Sequence, residues 1–505
     1  MRYPFSVFNY LPKLSYIDFL HQFLYDAKNP LLFNNGFFVY FFTIFISFYY
    51  LFRNNILVRN YIVSIFSLYF FYKASGFFVV LVLISAVCDF VLSNLIYKQQ
   101  NAKKKKWLLF LSIIINLGLL FYFKYTNFFI SLSNQVFSTN INLLNILLPV
   151  GISFYTFENL SYTIDVYRGE FEPEKKLINY LVFLSFFPKL VMGPIVRAKD
   201  FIPQLHKPYQ LNQEDFTKGF YLIVSGLFKK LVISDYLTLN LVNYIFDDPA
   251  RHTGLECLTG LLAYSIVIYC DFSGYSDVAI GIAKWLGISI PANFKSPYQS
   301  KSITEFWRRW HISLSSWLRD YLYIFSLGGN RRGKLFTYFN LFVTMLLGGF
   351  WHGASWNFII WGGIHGIGLA IHKMWMVVGK SLIIKFENNF IYNLFSQIFT
   401  FLFVCFCWIF FKSTNLENSM AMIKQIFTNF SFDIWKEFYG NYKYVLYVMV
   451  LAYLLHLIPD IFADRILPKL QKAPMIVYVA IFACFLLVYA QFKSSIPVMP
   501  IYLQF

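Results

Sequence analysis

Two histidines stand inside aromatic, otherwise apolar stretches of this 505-residue chain. His352 follows Met345-Leu-Leu-Gly-Gly-Phe-Trp351 and precedes Gly353-Ala-Ser-Trp356, and His311 follows Phe306-Trp-Arg-Arg-Trp310. An ionisable side chain at membrane depth is expensive and is a functional-site hypothesis by default. A neutral imidazole there suits proton abstraction from a hydroxyl, which is general-base chemistry. The competing role is structural, a helix-bridging histidine hydrogen-bonded to a backbone carbonyl. Gly348, Gly349 and Gly353 around His352 favour a site, because they remove bulk from the backbone beside it.

Other groups offer weaker chemistry. Gly328-Gly-Asn-Arg331 and Trp361-Gly-Gly-Ile-His-Gly366 leave backbone N–H groups at their ends that suit phosphates or a developing oxyanion. Asp271 and Asp277 read as helix caps or as ion-pair partners of Arg308 or Arg309, and Lys229-Lys230 as side chains reaching an interface. His365 and His372 share a helix face but lack acidic partners nearby, so packing is the better reading than a metal. The six cysteines form no CxxC pair and sit mostly in apolar runs, which predicts neither a disulfide nor a metal centre. No HExxH, P-loop or GxSxG motif is present.

The elements that must position these groups follow from composition. Apolar residues make up 58% of the chain and charged residues 13%, about half the share of a soluble domain. Mean hydropathy is +0.54. Apolar runs of roughly 18 residues recur along the whole length, as membrane-spanning helices require. The expectation is an all-α polytopic membrane protein of about eleven to thirteen transmembrane or re-entrant helices. The excess of +18 charges is scattered in short loops, such as Lys103–Lys106 and Arg331–Lys334. That pattern marks a cytoplasmic membrane face and argues against nucleic acid as a partner. Residues 1–30 read as an interfacial segment on membrane lipid, and 31–505 as one membrane domain whose core is 148–366. No cleavable signal peptide is expected. The stretch 303–327 carries too many charges for a lipid-facing helix and must face protein or a cavity. The segments near 177–196 and 217–246 read as spans, and 160–176 and 412–441 as polar connections.

Six stretches together resemble a known family. They are LPVGISFYTF (148–157), DVYRG (165–169), FFPKLVMGPIVR (186–197), DFSGYSDVAIG (271–281), SITEFWRRWHISLSSWLRDYLY (302–323) and TMLLGGFWHGASW (344–356). The chain resembles the membrane-bound O-acyltransferases, and within them the bacterial alginate O-acetyltransferase branch. The resemblance is strong from Leu148 to Gly366 and weak in the earlier spans, while residues 1–30 and the part after about 380 are alike only in being membrane-like. It implies helices around a catalytic funnel or tunnel, and transfer of a short acyl group, typically acetyl from acetyl-CoA, to a hydroxyl. In this branch the group crosses a bacterial inner membrane to an extracytoplasmic polysaccharide, usually through a partner protein with a transferase or esterase fold.

The resemblance also assigns residues. It makes His352 the base toward the acceptor hydroxyl. His311 would orient the acceptor or the thioester, or assist proton transfer. The donor is a substrate, so no permanently bound cofactor is implied. Arg308, Arg309, Gly328, Gly329, Asn330 and Arg331 are the expected donor contacts. The loop Ile324-Phe-Ser-Leu-Gly-Gly-Asn330 departs from the family pattern by lacking a proline and carrying one extra residue. Competing readings are D-alanyl transfer to teichoic acid from a carrier-protein thioester, a transporter or flippase, and a non-catalytic anchor of a glycan-modifying complex. No internal repeat of the transporter kind is visible.

Overall fold

Backbone in lipid must satisfy its own hydrogen bonds, so long apolar runs fold as helices. The computed structural model describes residues 21–27, 30–33, 35–386, 388–458, 461–494 and 498–503. Of the expected interfacial segment 1–30, residues 1–20, 28 and 29 lie outside these. Every regular element among the described residues is helical. The principal helices are α1 (Gly36–Leu51), α2 (Ile56–Ser75), α3 (Val79–Lys98), α4 (Ala102–Leu120), α5 (Thr126–Phe137), α6 (Ile152–Arg168), α7 (Gln213–Leu227) and α8 (Gly254–Trp285). They continue with α9 (Ile303–Arg309), α10 (Ile312–Trp317), α11 (Lys334–His352), α12 (Trp356–Val378), α13 (Phe390–Lys412), α14 (Leu416–Thr428), α15 (Trp435–Leu457) and α16 (Met475–Phe492). Five continuous helical stretches are long and apolar enough to cross a membrane: 56–98, 102–137, 254–285, 390–412 and 475–492. Within their most apolar windows, 78% of the α8 residues are buried but only 11% of those in α16, so α8 is central and α16 peripheral.

Asparagine starts many of these helices. Asn35, Asn55, Asn101, Asn212, Asn389 and Asn415 each accept a backbone N–H from the first turn of α1, α2, α4, α7, α13 and α14. Thr253 and Glu256 form a capping box at the start of α8.

Two glycine seams bring helices to backbone contact. A Cβ on Gly226 would lie 2.5 Å from the Gly274 carbonyl oxygen, and one on Gly281 would lie 2.6 Å from that of Gly219. These two rungs lock α7 against α8. A Cβ on Gly349 would lie 2.2 Å from the Phe358 carbonyl oxygen, and one on Gly362 would lie 2.4 Å from that of Met345. That seam closes the α11–α12 hairpin, which carries His352 and His365.

Several elements differ from the sequence expectation. Helix α6 covers most of the supposed connection at 160–176, and Ile152 through Val166 are all buried. Its polar side chains hid it from hydropathy, yet several find partners inside the bundle. Glu158 pairs with Lys189. Asn159 donates to Asn116 (3.1 Å) and accepts from Tyr180 (2.6 Å). Thr163 donates to Asp89 (3.1 Å), and Asp165 accepts from Tyr321 (2.8 Å). The expected span at 177–196 is broken into Leu177–Ser185 and Phe187–Leu190, because Pro188 cannot continue a helix. The expected loop at 412–441 contains α14. The stretch 303–327 is interrupted at His311, whose φ of 43° is left-handed.

The seams make a graded stability prediction. Gly226→Leu should lower the detergent-solubilised thermal midpoint sharply or abolish folding. Gly440→Ala, in α15 where nothing lies within 4 Å, should be neutral or stabilising by up to about 1 kcal/mol. Equal midpoints for the two variants would show that the α7–α8 contact does not hold the bundle together.

Candidate active site

His352 is the last residue of α11, and the chain leaves the helix at Gly353 in extended conformation. A Cβ on Gly353 would meet the Phe358 ring at 2.1 Å, so a side chain there would force the hairpin apart. A helix that ends inside the bundle leaves its last carbonyls unpaired. Here Lys124 Nζ donates to the carbonyl oxygens of Trp351 (2.7 Å) and His352 (2.8 Å), and Tyr125 Oη donates to that of Phe350 (3.1 Å). Both residues stand in a π-helical turn, Phe121–Tyr125, between α4 and α5. The cation also opposes the negative end of the α11 dipole. The His352 ring is boxed by Trp351, Trp361, Phe411 and Tyr502 at centroid distances of 5.0, 5.1, 5.3 and 5.6 Å.

His311 joins α9 to α10 and is fully buried. Its Nδ1 lies 3.1 Å from Asn293 Oδ1, and its ring meets the Phe272 ring edge-on at 4.6 Å. Trp351 (6.4 Å) and Tyr502 (6.3 Å) touch His311 as well as His352, so one pair of aromatic rings brings the two histidines into a single site. Among the described residues, neither His311 Nε2 nor His352 Nδ1 has a hydrogen-bond partner.

Two cavities adjoin the site. One of about 200 Å³ is lined by Lys124, Phe154, Trp351, His352 and Tyr502. The other, about 500 Å³, is lined by Lys124, Tyr264, Asp271, Ser355, Phe411 and Lys412. Lys124, Leu148 and Met499 line both.

The remaining candidate residues lie elsewhere. Gly328–Arg331 precedes α11, whereas His352 ends it, so about 28 Å of helix separates them at 1.5 Å per residue. Arg308, Asn330 and Arg331 are exposed. Lys373 Nζ lies 3.4 Å from Asn330 Oδ1, and Arg309 pairs with Glu305 at 2.7 Å. These groups form a basic rim at the end of the hairpin remote from His352. The Gly-Gly turn uses some of its own N–H groups: Gly329 donates to Tyr323 O (2.7 Å) and Arg331 to Gly328 O (3.2 Å). His365 accepts from Trp307 (3.3 Å), and His372 Nδ1 lies 2.8 Å from Thr304 Oγ1, so their polar contacts lead to different partners.

Two expectations are corrected. Asp271 and Asp277 pair with Lys230 and Lys229, each at 2.5 Å, and not with Arg308 or Arg309. The lysines stand in a π-helical turn, Phe228–Ser234, packed against α8, and turn inward to its carboxylates where lipid would have left them unpaired. Lys230 also meets Asp235 at 2.7 Å. Asp271 Oδ2 in turn accepts from Ile501 N (2.8 Å), which ties residues 498–503 to α8 and delivers Tyr502 to the histidines.

Sequence reading missed Lys124, Asn293, Tyr502 and Arg197. A lone lysine inside an apolar run was the available signal for Lys124. Arg197 lies over the Tyr321 ring at 4.4 Å, with Asp320 at 3.6 Å, and its Nη atoms make no hydrogen bond among the described residues. Nothing local in the sequence marked Tyr502, which reaches the site through a contact 230 positions away in the chain.

Comparison with known proteins gives concordant results. The family model for membrane-bound O-acyltransferases matches residues 174–417, which include both histidines. A probable alginate O-acetylase of Pseudomonas aeruginosa is 43% identical over 337 residues, covering 66% of this chain and 62% of that protein. A peptidoglycan O-acetyltransferase of Helicobacter pylori is 37% identical over 361 residues, covering 66% and 67%. A teichoic acid D-alanyltransferase of Streptococcus thermophilus is 32% identical over 256 residues, covering 48% and 60%. The chain thus spans less than two thirds of the Pseudomonas protein's length. Lys124 and Tyr502 lie outside the stretch that the family model matches.

The α11 terminus yields a stability test. Lys124→Met should destabilise the folded protein by roughly 1–3 kcal/mol, because two buried carbonyls lose a charged donor. Lys104→Met, at an exposed position in α4, should change it by less than about 0.5 kcal/mol. Denaturant titration in detergent reads both, and equal stabilities would remove Lys124 as the terminus-holding group.

Proposed function

We propose, from the premise that this chain belongs to the membrane-bound O-acyltransferase family, that it moves an acetyl group from acetyl-CoA across a bacterial inner membrane to hydroxyls of an extracytoplasmic polysaccharide. The observation that carries this reading is the convergence of His311 and His352 on Trp351 and Tyr502, beside two cavities and remote from the basic rim. The rim suits the donor. Short basic loops favour the cytoplasmic face, and Arg308, Arg309, Gly328, Gly329, Asn330 and Arg331 stand there to meet the phosphates of CoA. The His352 cavities then open toward the acceptor.

In the transfer, His352 takes the proton of the acceptor hydroxyl as its oxygen bonds to the thioester carbonyl carbon. The C–S bond breaks, and the thiolate recovers a proton from the imidazolium. A ring-lined, water-poor site protects the thioester from hydrolysis. A separate partner of transferase or esterase fold presents the polysaccharide to this site. Alginate and peptidoglycan, named in the relatives, are the acceptor classes to try first. The match to a teichoic acid D-alanyltransferase supports a second reading, in which the acyl group is D-alanyl from a carrier-protein thioester.

Labelled transfer in reconstituted liposomes tests the assignment. His352→Ala should reduce acetyl transfer from acetyl-CoA by about 100-fold or more while remaining folded and inserted. Undiminished transfer would sink the catalytic role of His352. Transfer of D-alanine from a carrier thioester, with none from acetyl-CoA, would move the assignment to the second reading.

The rim is tested separately. The double variant Arg308→Ala, Arg331→Ala should raise KM for acetyl-CoA several-fold with kcat little changed, as loss of uniform donor binding does. A fall in kcat at constant KM would exclude those arginines as donor contacts.

A further inference from the structure

Asn293 makes a set of contacts that decides where His311 carries its proton. The backbone N–H of Ser313 points at Asn293 Oδ1 over 3.2 Å, and Ser313 Oγ donates to the same atom over 2.8 Å. A backbone N–H can only donate, so the amide atom it meets is the oxygen. The amide nitrogen points the other way, to Ser276 Oγ at 3.3 Å. The Asn293 carbonyl also accepts from Ile312 N at 2.9 Å. These bonds pin the chain immediately after His311, whose left-handed backbone (φ 43°) is strained for a non-glycine residue.

His311 Nδ1 lies 3.1 Å from that same oxygen. Two acceptors do not sit at that distance, so Nδ1 carries the hydrogen. A neutral imidazole has one ring hydrogen, which leaves Nε2 as a pure acceptor. Nε2 is buried and has no partner among the described residues. Buried polar atoms without partners are uncommon and call for a ligand or a function. Phe154, Trp351 and Tyr502 each contact the His311 ring and also line the cavity at His352. Nε2 is therefore one ring layer from the place where the acceptor would enter.

We infer that Asn293 is a positioning residue that holds His311 with Nδ1 protonated, so that Nε2 stays a bare acceptor and takes a hydrogen bond from a second hydroxyl of the acceptor, next to the one that His352 deprotonates, when the sugar inserts between the Phe154, Trp351 and Tyr502 rings. A sugar ring offers neighbouring hydroxyls, and the second keeps its proton throughout. The thioester carbonyl oxygen is itself an acceptor and finds no donor at Nε2, so His311 serves the glycan and not the acyl group. The substrate half of this inference rests on the acyl-transfer reading, whereas the tautomer does not.

The test has two arms. Wild-type protein labelled with ¹⁵N-histidine in lipid bilayers is measured by solid-state NMR, and His311→Gln assigns the His311 ring signals by difference. The expected spectrum has His311 protonated at Nδ1 with a bare Nε2, and protonation at Nε2 would overturn the inference whatever the reaction. In the second arm, Asn293→Leu should lose that signature and raise KM for the acceptor glycan by about tenfold, the size of one hydrogen bond, with KM for acetyl-CoA unchanged. Asn293→Asp keeps an acceptor at Nδ1 and should restore both the signature and the acceptor KM. An Asn293→Leu variant with the wild-type signature and wild-type acceptor KM would also overturn it. If the wild type transfers no acyl group at all, the acyl-transfer reading falls with its substrate half, and the first arm still decides the tautomer.

Discussion

A helix that ends inside an apolar bundle exposes carbonyls that its apolar surroundings cannot satisfy, and α11 ends in that way at His352. Lys124 and Tyr125 meet its last three carbonyls, at Phe350, Trp351 and His352. Much of the local architecture follows from this contact. The π-helical turn at Phe121–Tyr125 sets a lysine at a depth where an apolar residue would otherwise stand. The close α11–α12 seam at Gly349 and Gly362 lets the hairpin turn within a few residues of the histidine. Gly353, pressed against the Phe358 ring, allows the chain to leave the helix at once. His352 thereby sits on a fixed helix end, where its ring is held by packing on several sides. The role proposed for His352 needs this kind of support, because small errors of position are costly in rate.

Charge elsewhere in the bundle obeys the same rule. Glu158 with Lys189, Asp271 with Lys230, and Asp277 with Lys229 are each paired across elements. Breaking a buried pair is far more damaging than never having had it, so such pairs fix which helices lie together. Asp271 has a second task, since its other oxygen takes the Ile501 N–H. That bond couples the core ion pair to the segment that places Tyr502 between the two histidines. The buried salt bridge and the aromatic box are thus mechanically linked through one carboxylate.

The sequence made some of this legible for identifiable reasons. Helical class and membrane character were carried by long apolar runs, and His311 and His352 stood out as titratable groups within them. Helix α6 was hidden because its buried face is polar, and hydropathy cannot distinguish polar residues that pair inside a bundle from polar residues that face water. Lys229 and Lys230 were misread for a related reason. A consecutive lysine pair ordinarily diverges toward solvent, but a π-helical turn beside the carboxylates of α8 gathers both. Asn293 and Tyr502 depend on contacts between distant segments, which no local pattern encodes. Six asparagines cap helices, a role visible only once the helix starts are known.

The two ends of the α11–α12 hairpin differ in character. Arg308, Asn330, Arg331 and Lys373 gather at one end, while His352, Lys124 and the cavities lie at the other, and the hairpin between is packed by glycine seams and aromatic rings. His311 sits behind the rings that line the His352 cavity and is itself wholly buried. Phe154, Trp351 and Tyr502 stand between His311 and that cavity. Both imidazoles depend on the same two rings, Trp351 and Tyr502, so a change at either ring reaches both histidines.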